Sequence, residues 1–401
     1  MYILPKFFFP YYGFEWVKPL PGIGMYLVFA LLLLASIGII TGALYRFSAI
    51  LFFGLFTYVE LIDKTNYLNH YYFVSLVAFI MIFMPAGKSF SIDNKLFKRG
   101  EAEQVPRFFI FLLQLQMFLV YFFAGIAKIN HDWLFEAQPL KTWLPAFSHF
   151  YIIGGLMEKD WLAFVFCWFA CIYDLCIGFF LFNKRTVTIA YIFVVIFHLA
   201  TSLFFNIGMF PYIMITITIV FFREEFHLKI INRLKKVLSY RNSSDRSYSP
   251  VLAGKSFLAM FCVYFIIQVC MPLRYLLYPG KLFWTEQGYR FSWRVMLMEK
   301  AGSAFFYVRD KSTGKETMID NKEYLTYMQE KMMATQPDMM VDYAKFLKHE
   351  FIARGYKDPM VRAESFVTVN GSGSRAFIDP EVDLSVQSNS IFKNHDWVKS
   401  Y

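Results

Sequence analysis

Cysteine and charge are both scarce in this sequence. Only five cysteines occur in 401 residues. Cys167, Cys171, Cys176, Cys262 and Cys270 all fall inside long apolar runs, which excludes a disulfide framework among aqueous segments. They read as packing residues, and no metal site is expected. Charged residues make up 17% of the chain, against 57% hydrophobic and 21% aromatic, with 49 Phe. No nucleophile elbow, P-loop or zinc motif is present, so the enzyme classes built on those devices are set aside. No internal repeat is visible. The opening MYILPKFFFPYYGFEWVKPLPG lacks a positive flank followed by an apolar core, so it does not read as a cleavable signal peptide.

What is present is a series of apolar runs of bilayer length, and these decide for a polytopic membrane protein. They lie at 24–45, 47–62, 70–86, 107–129, 161–182, 185–203, 207–222 and 253–278, about eight transmembrane helices. The shorter ones are completed by polar ends and neighbouring helices. After residue 280 the texture changes to mixed polarity. The sequence therefore divides into a multi-helix transmembrane domain, 1–280, and a C-terminal α+β extramembrane domain, 281–401.

The formal charge of +10 is an orientation signal, with an anionic-lipid contact as a second reading, and not a nucleic-acid footprint. With the N-terminus outside, the inner loops hold Arg46, then Lys88, Lys95, Lys98, Arg99 and Arg107, then Lys184 and Arg185, then a run from Arg223 through Lys229, Arg233, Lys235, Lys236, Arg241 and Arg246. The outer segments hold only Lys6, Lys18, Lys64, Lys141 and Lys159. That asymmetry is the positive-inside rule, and it places the C-terminal domain on the extracytoplasmic side of an inner or endoplasmic-reticulum membrane. An outside start without a signal peptide needs either a reverse-anchor first helix or a further helix upstream.

Ionisable residues inside spans are costly and usually face a cavity or a partner. Four stand out: His70, Lys128, Asp174 and His198. The topology puts His70 at the start of an outside-to-inside span, Lys128 at the end of an inside-to-outside span and His198 near the outer end of another. All three belong to the outer half of the bilayer, whereas Asp174, in mid-span, lies deeper. The plain alternatives are a snorkelling lysine, packing or interfacial histidines and a helix-to-helix hydrogen bond from Asp174. If the three groups face inward, they form a polar pocket under aromatic residues, open laterally to lipid and suited to a lipid-soluble ligand. An ammonium is disfavoured in such a pocket, so a free amine can exist there near neutral pH and act as a general base.

The stretches DKTNYLNHYY (63–72), VYFFAGIAKINHDWL (120–134), FHLATSLFFNIGMFPYIM (197–214), LFWTEQGYRFSWRVML (282–297) and AFIDPEVDL (376–384) resemble the vitamin K-dependent gamma-glutamyl carboxylase family, bacterial members included. The resemblance runs in order over nearly the whole chain. It implies an integral membrane enzyme that oxidises vitamin K hydroquinone with O2 to the epoxide. The strong base so produced removes a γ-proton from a peptidyl glutamate, and CO2 adds to the carbanion. The family's hydroquinone-deprotonating lysine falls on Lys128. Its Asn-His pair falls on Asn69 and His70, the amide to hydrogen-bond a quinone oxygen and the imidazole to position or stabilise reacting species. The second pocket histidine falls on His198, and Tyr121, seven residues before Lys128 on the same helix face, joins as a quinone-binding candidate.

The resemblance also implies one further helix ahead of YYGFEWVKPLP, and a protein or peptide substrate containing glutamate. His131 stands where a small or acidic residue is expected. The alternatives are an epoxidase that does not carboxylate and a non-catalytic quinone or lipid binder or transporter on the same fold. A transporter requires polar groups across the whole membrane, and here, apart from Asp174, they gather at one side.

In the C-terminal domain, AFFYVRDKSTGKETMID (304–320) reads as a hairpin with a Gly-containing turn, 323–355 as two helices broken near Thr335 to Pro337, and SFVTVNGSGSRAFID (365–379) as a second hairpin. Met332, Met333, Met339 and Met340 read as core residues, with an adaptable peptide-contact surface as the alternative.

Overall fold

The computed structural model describes residues 2–88, 91–97, 105–237 and 254–401. Every apolar run forms a helix. Five are long and apolar enough to cross a membrane: Gly24–Thr41, Arg107–Lys128, Asp160–Phe182, Val187–Phe204 and Lys255–Leu277. Three other runs give shorter helices. Tyr45–Leu61 has 17 residues and carries Arg46 and Glu60, Asn69–Phe83 has 15, and the third covers Phe210–Phe221. These fall short of the roughly 20 residues of a full crossing. The protein is therefore a multi-pass membrane protein whose short helices lean on longer neighbours. Breaks come where the backbone requires them. Gly42, in the left-handed region at φ 68°, caps the first helix, and the 69–83 helix ends before Met84-Pro85 because a residue preceding proline avoids helical geometry.

Burial follows helical periodicity. On Val187–Phe204, Val187, Ala190, Val194 and His198 face inward, while Ile189, Ile192, Ile196, Leu199 and Leu203 form an exposed apolar stripe. An apolar outer face suits lipid tails. Helices 107–128 and 160–182 approach closely because each has a glycine at the contact. A Cβ on Gly125 would stand 2.7 Å from the backbone nitrogen of Leu175, and one on Gly178 2.6 Å from the ring of Phe118.

Part of the basic run forms an amphipathic helix, Glu224–Val237, with Leu228, Ile231 and Leu234 on one face and Lys229, Arg233 and Lys236 toward the other. That pattern suits a helix lying in the membrane interface. Lys98, Arg99, Arg241, Arg246, the side chain of Lys235 and the first residue of the 253–278 run lie outside the described residues.

The C-terminal region is a four-stranded antiparallel sheet, β1 Lys300–Asp310, β2 Glu316–Met318, β3 Pro359–Val369 and β4 Arg375–Ala376, in the order β2-β1-β3-β4. Both expected hairpins are present. Their joining through a β1–β3 ladder from Lys300↔Val369 to Asp310↔Pro359 is long-range and was not read from the sequence. The two expected helices are Tyr327–Met333 and Pro337–Ala353. Met333, Met339 and Met340 are fully buried and Met332 packs beside them, so the methionines are core.

That core also takes in Phe9, fully buried, with Phe7 against it, so the N-terminal stretch packs on the C-terminal domain. A buried ionic clamp adds to the junction. Lys64, in the turn before the 69–83 helix, sits 2.7 Å from Asp338 and 2.6 Å from Asp342, and Arg290 lies 2.7 Å from Asp338. Burial alone raises a carboxyl, but Arg290 and Lys64 together hold Asp338 well below the usual carboxylate range. Asp342 lacks the arginine, so burial outweighs Lys64 and pushes it up.

Candidate functional site

Helices 107–128, 160–182 and 187–204, with the 210–218 helix and the 293–296 segment, enclose a cavity of about 260 Å³. Its walls are aromatic and aliphatic, among them Trp133, Phe169, Phe197, Phe210 and Trp293. Besides the half-buried Thr201, four polar side chains line it: Lys128, Asp174, Tyr121 and His198. All four are buried.

Helical side chains tilt toward the N-terminus, so the Lys128 side chain reaches back one turn. Its Nζ lies 3.3 Å from the carbonyl of Ala124 and 2.7 Å from Oδ2 of Asp174. Trp133 stands over the amine, 5.4 Å from Nζ to the ring centre, and is fixed by donating its Nε1–H to the carbonyl of Cys167 at 2.8 Å. Lys128 therefore does not snorkel. It is held inside by a carboxylate.

Asp174 lies on the inward stripe Ala163, Cys167, Ala170, Asp174, Ile177, Leu181 of its helix. The expected helix-to-helix hydrogen bond is present, and its partner is Lys128, at the same depth and not below it. The stripe was readable, but the pairing needs the crossing at Gly125.

Across the cavity, the hydroxyl of Tyr121 and Nε2 of His198 are 3.1 Å apart. Nδ1 of His198 has no partner among the described residues. Two polar pairs, Lys128 with Asp174 and Tyr121 with His198, thus stand in one apolar chamber.

Asn69 and His70 are not among the residues lining it. His70 is buried one ring away. Phe210 stands between the two histidines, 5.9 Å from the ring of His70 and 5.7 Å from that of His198. The amide of Asn69 donates to the carbonyl of Arg294 at 3.0 Å and accepts from the Tyr67 hydroxyl at 3.0 Å. Tyr67 in turn accepts from the backbone N–H of Phe291 at 2.7 Å. Asn69 thus anchors the segment that closes the cavity. His131 starts a short helix, His131–Phe135, and is exposed.

The closing segment carries the signal that sequence reasoning left without a role. Trp293 and Met296 line the cavity and, with Phe291, hold positive φ of 58°, 55° and 61°. Three non-glycine residues in the left-handed region within six positions mark stored backbone strain, which clusters at functional sites. Tyr72 helps to hold the strained segment, its ring centre 4.9 Å from Phe291 and 5.2 Å from Trp293.

Two family models match the chain. The family model described as HTTM domain matches residues 1–226, and that described as Vitamin K-dependent gamma-carboxylase, lumenal domain, matches residues 253–401. No solved structure matches the chain. The two matches follow one another along the chain, the second taking in the apolar helix Lys255–Leu277 together with the C-terminal α+β region, and the protein belongs to the vitamin K-dependent gamma-carboxylase family.

Proposed function

We propose that the protein is an epoxidase and gamma-glutamyl carboxylase that uses vitamin K hydroquinone, O2 and CO2, with its reaction chamber at the Lys128 cavity and its C-terminal domain on the extracytoplasmic side. The observation that carries the reading is an amine and a histidine with a free ring nitrogen, both buried in one aromatic cavity inside the membrane half. Those features fit a lipid-soluble hydroquinone, whose ring packs on aromatic walls and whose two oxygens each need a polar partner. When bound, reduced vitamin K supplies with O2 the strong base for removal of the γ-proton of a peptidyl glutamate.

Lys128 receives a proton at Nζ from the hydroxyl nearest it. Tyr121 and His198 hold the opposite oxygen, with His198 Nδ1 as the unused hydrogen-bonding atom. Trp133, Phe197, Phe210 and Trp293 exclude water, without which a strong base is quenched. Asn69 keeps the closing segment in place through Arg294, and His70 supports the cavity wall through Phe210. The C-terminal domain, joined to the membrane half by the Lys64 clamp, is suited to presenting a glutamate-containing protein or peptide at the cavity mouth.

A second reading, a non-catalytic quinone binder, draws on the Lys128–Asp174 ion pair, which by itself is also a way of stabilising two helices. Purified protein in nanodiscs, given vitamin K hydroquinone and O2, separates the two readings. Chromatography follows the epoxide, and labelled CO2 incorporation into a glutamyl peptide is measured alongside. Epoxide abolished by Lys128→Ala is the expected result, with labelled CO2 distinguishing carboxylase from epoxidase alone. Binding without any epoxide moves the protein to the second reading.

A further inference from the structure

Lys128 cannot act as a base from within an intact ion pair, because an ammonium already carries its full set of hydrogens. A proton must leave Nζ before another can arrive. Among the described residues, the one acidic group in contact with Nζ is Asp174, 2.7 Å away, and its carboxylate makes no other ion pair there. The remaining titratable groups around the pair are the thiols of Cys167 and Cys171, the hydroxyls of Tyr121 and Tyr173, and His198 across the cavity. None carries a permanent positive charge. An apolar chamber with one cation supports one anion, since a second would be buried without compensation.

We propose that Asp174 is the terminal proton acceptor of the site. The inference rests on the proposed function, in that it takes a phenolic hydroxyl of the hydroquinone class as the proton donor. The donor's O–H bond breaks and its proton bonds to Nζ, as one Nζ proton moves to Oδ2 of Asp174. The donor oxygen keeps the electron pair and replaces the carboxylate as counter-ion of the ammonium. Before the step the chamber holds ammonium, carboxylate and neutral hydroxyl. Afterwards it holds ammonium, neutral carboxyl and an anionic oxygen, so protons and charge balance with no external base. Asp174 acts through Lys128 and is a positioning and proton-storing residue.

Infrared difference spectroscopy of the full chain in nanodiscs tests this without turnover. Vitamin K hydroquinone is added anaerobically to protein labelled with 13C-aspartate, and binding is followed separately by its ultraviolet absorbance. A protonated-carboxyl C=O band that shifts with the 13C label is expected on binding, and it is expected to vanish in Asp174→Asn. The wild-type label makes the test independent of whether the variant folds. With O2 admitted, Asp174→Asn is expected to lower the epoxide rate about a hundredfold, and Asp174→Glu to restore most of it. Hydroquinone that binds without a 13C-sensitive carboxyl band, or Asp174→Asn at the wild-type rate, overturns the inference and leaves the proposed function standing. Hydroquinone that does not bind overturns both.

Discussion

The Lys128–Asp174 contact has an energetic consequence that can be measured apart from any chemistry. Both side chains are 7% exposed and their charged atoms are 2.7 Å apart. Replacing Lys128 with Met leaves a carboxylate enclosed by apolar walls, and breaking a buried pair from one side costs about 3–5 kcal/mol. Replacing both, Lys128→Met with Asp174→Leu, removes both desolvated charges and fills similar volume. Such exchanges are often neutral or stabilising, so the double variant is expected within about 1 kcal/mol of wild type. With each single replacement costing about 3–5 kcal/mol, the resulting coupling energy is roughly 5 kcal/mol or more, well above the few tenths of a kcal/mol within which independent sites add. Reversible unfolding in mixed dodecylsulfate micelles, read by far-ultraviolet circular dichroism, gives all four corners of the cycle. A double variant as unstable as the sum of the singles would refute the pair as an energetic unit. The double variant is also expected to make no epoxide, which separates stability from chemistry.

Gly125→Ala inserts a Cβ at 2.7 Å from the Leu175 backbone nitrogen. This is overpacking against main chain, expected to cost about 1–3 kcal/mol in the same unfolding assay and to lower the epoxide rate by moving Lys128 away from Asp174. Tyr121→Phe removes the partner of His198 Nε2 at 3.1 Å. With Nδ1 already unpartnered, the loss is expected at about 1–3 kcal/mol, together with a raised KM for the hydroquinone; an unchanged KM counts against the placing of the second oxygen. In the clamp, Asp338 is held below its usual range by Arg290 and Lys64 against burial. A depressed folded-state value stabilises fully above the unfolded value of about 4 and fades as pH falls below it. Wild type is therefore expected to lose stability on acidification below about pH 4. Asp338→Asn is expected to lose roughly 3 kcal/mol at pH 7 and to show a smaller further loss at low pH; thermal unfolding at the two pH values checks both.

Local patterns carried much of this protein. Apolar runs dictate helices because buried backbone in lipid must satisfy its own hydrogen bonds, and all eight runs are helical. The stretches AFFYVRDKSTGKETMID, with its Gly-containing turn, and SFVTVNGSGSRAFID sufficed for both hairpins, although the strand of the second begins earlier, at Pro359. His198 was marked by being ionisable within an apolar run, and Tyr121 by its seven-residue spacing to Lys128, whereas burial beside Val187, Ala190 and Val194 is what turns His198 inward.

What stayed hidden in the chain was partnership. Asp174 is 46 residues from Lys128, and its depth depends on how two helices cross at Gly125 and Gly178. Asn69 and His70 sit beside each other in sequence, yet one bonds to Arg294, 225 residues away, and the other stands behind Phe210. Sequence alone determined which segments enter the membrane and which ionisable side chains they carry, because these follow from local solvation and periodicity. Tertiary structure alone decided which of those side chains meet, because contacts between distant segments depend on packing angles and close approaches that no single segment encodes.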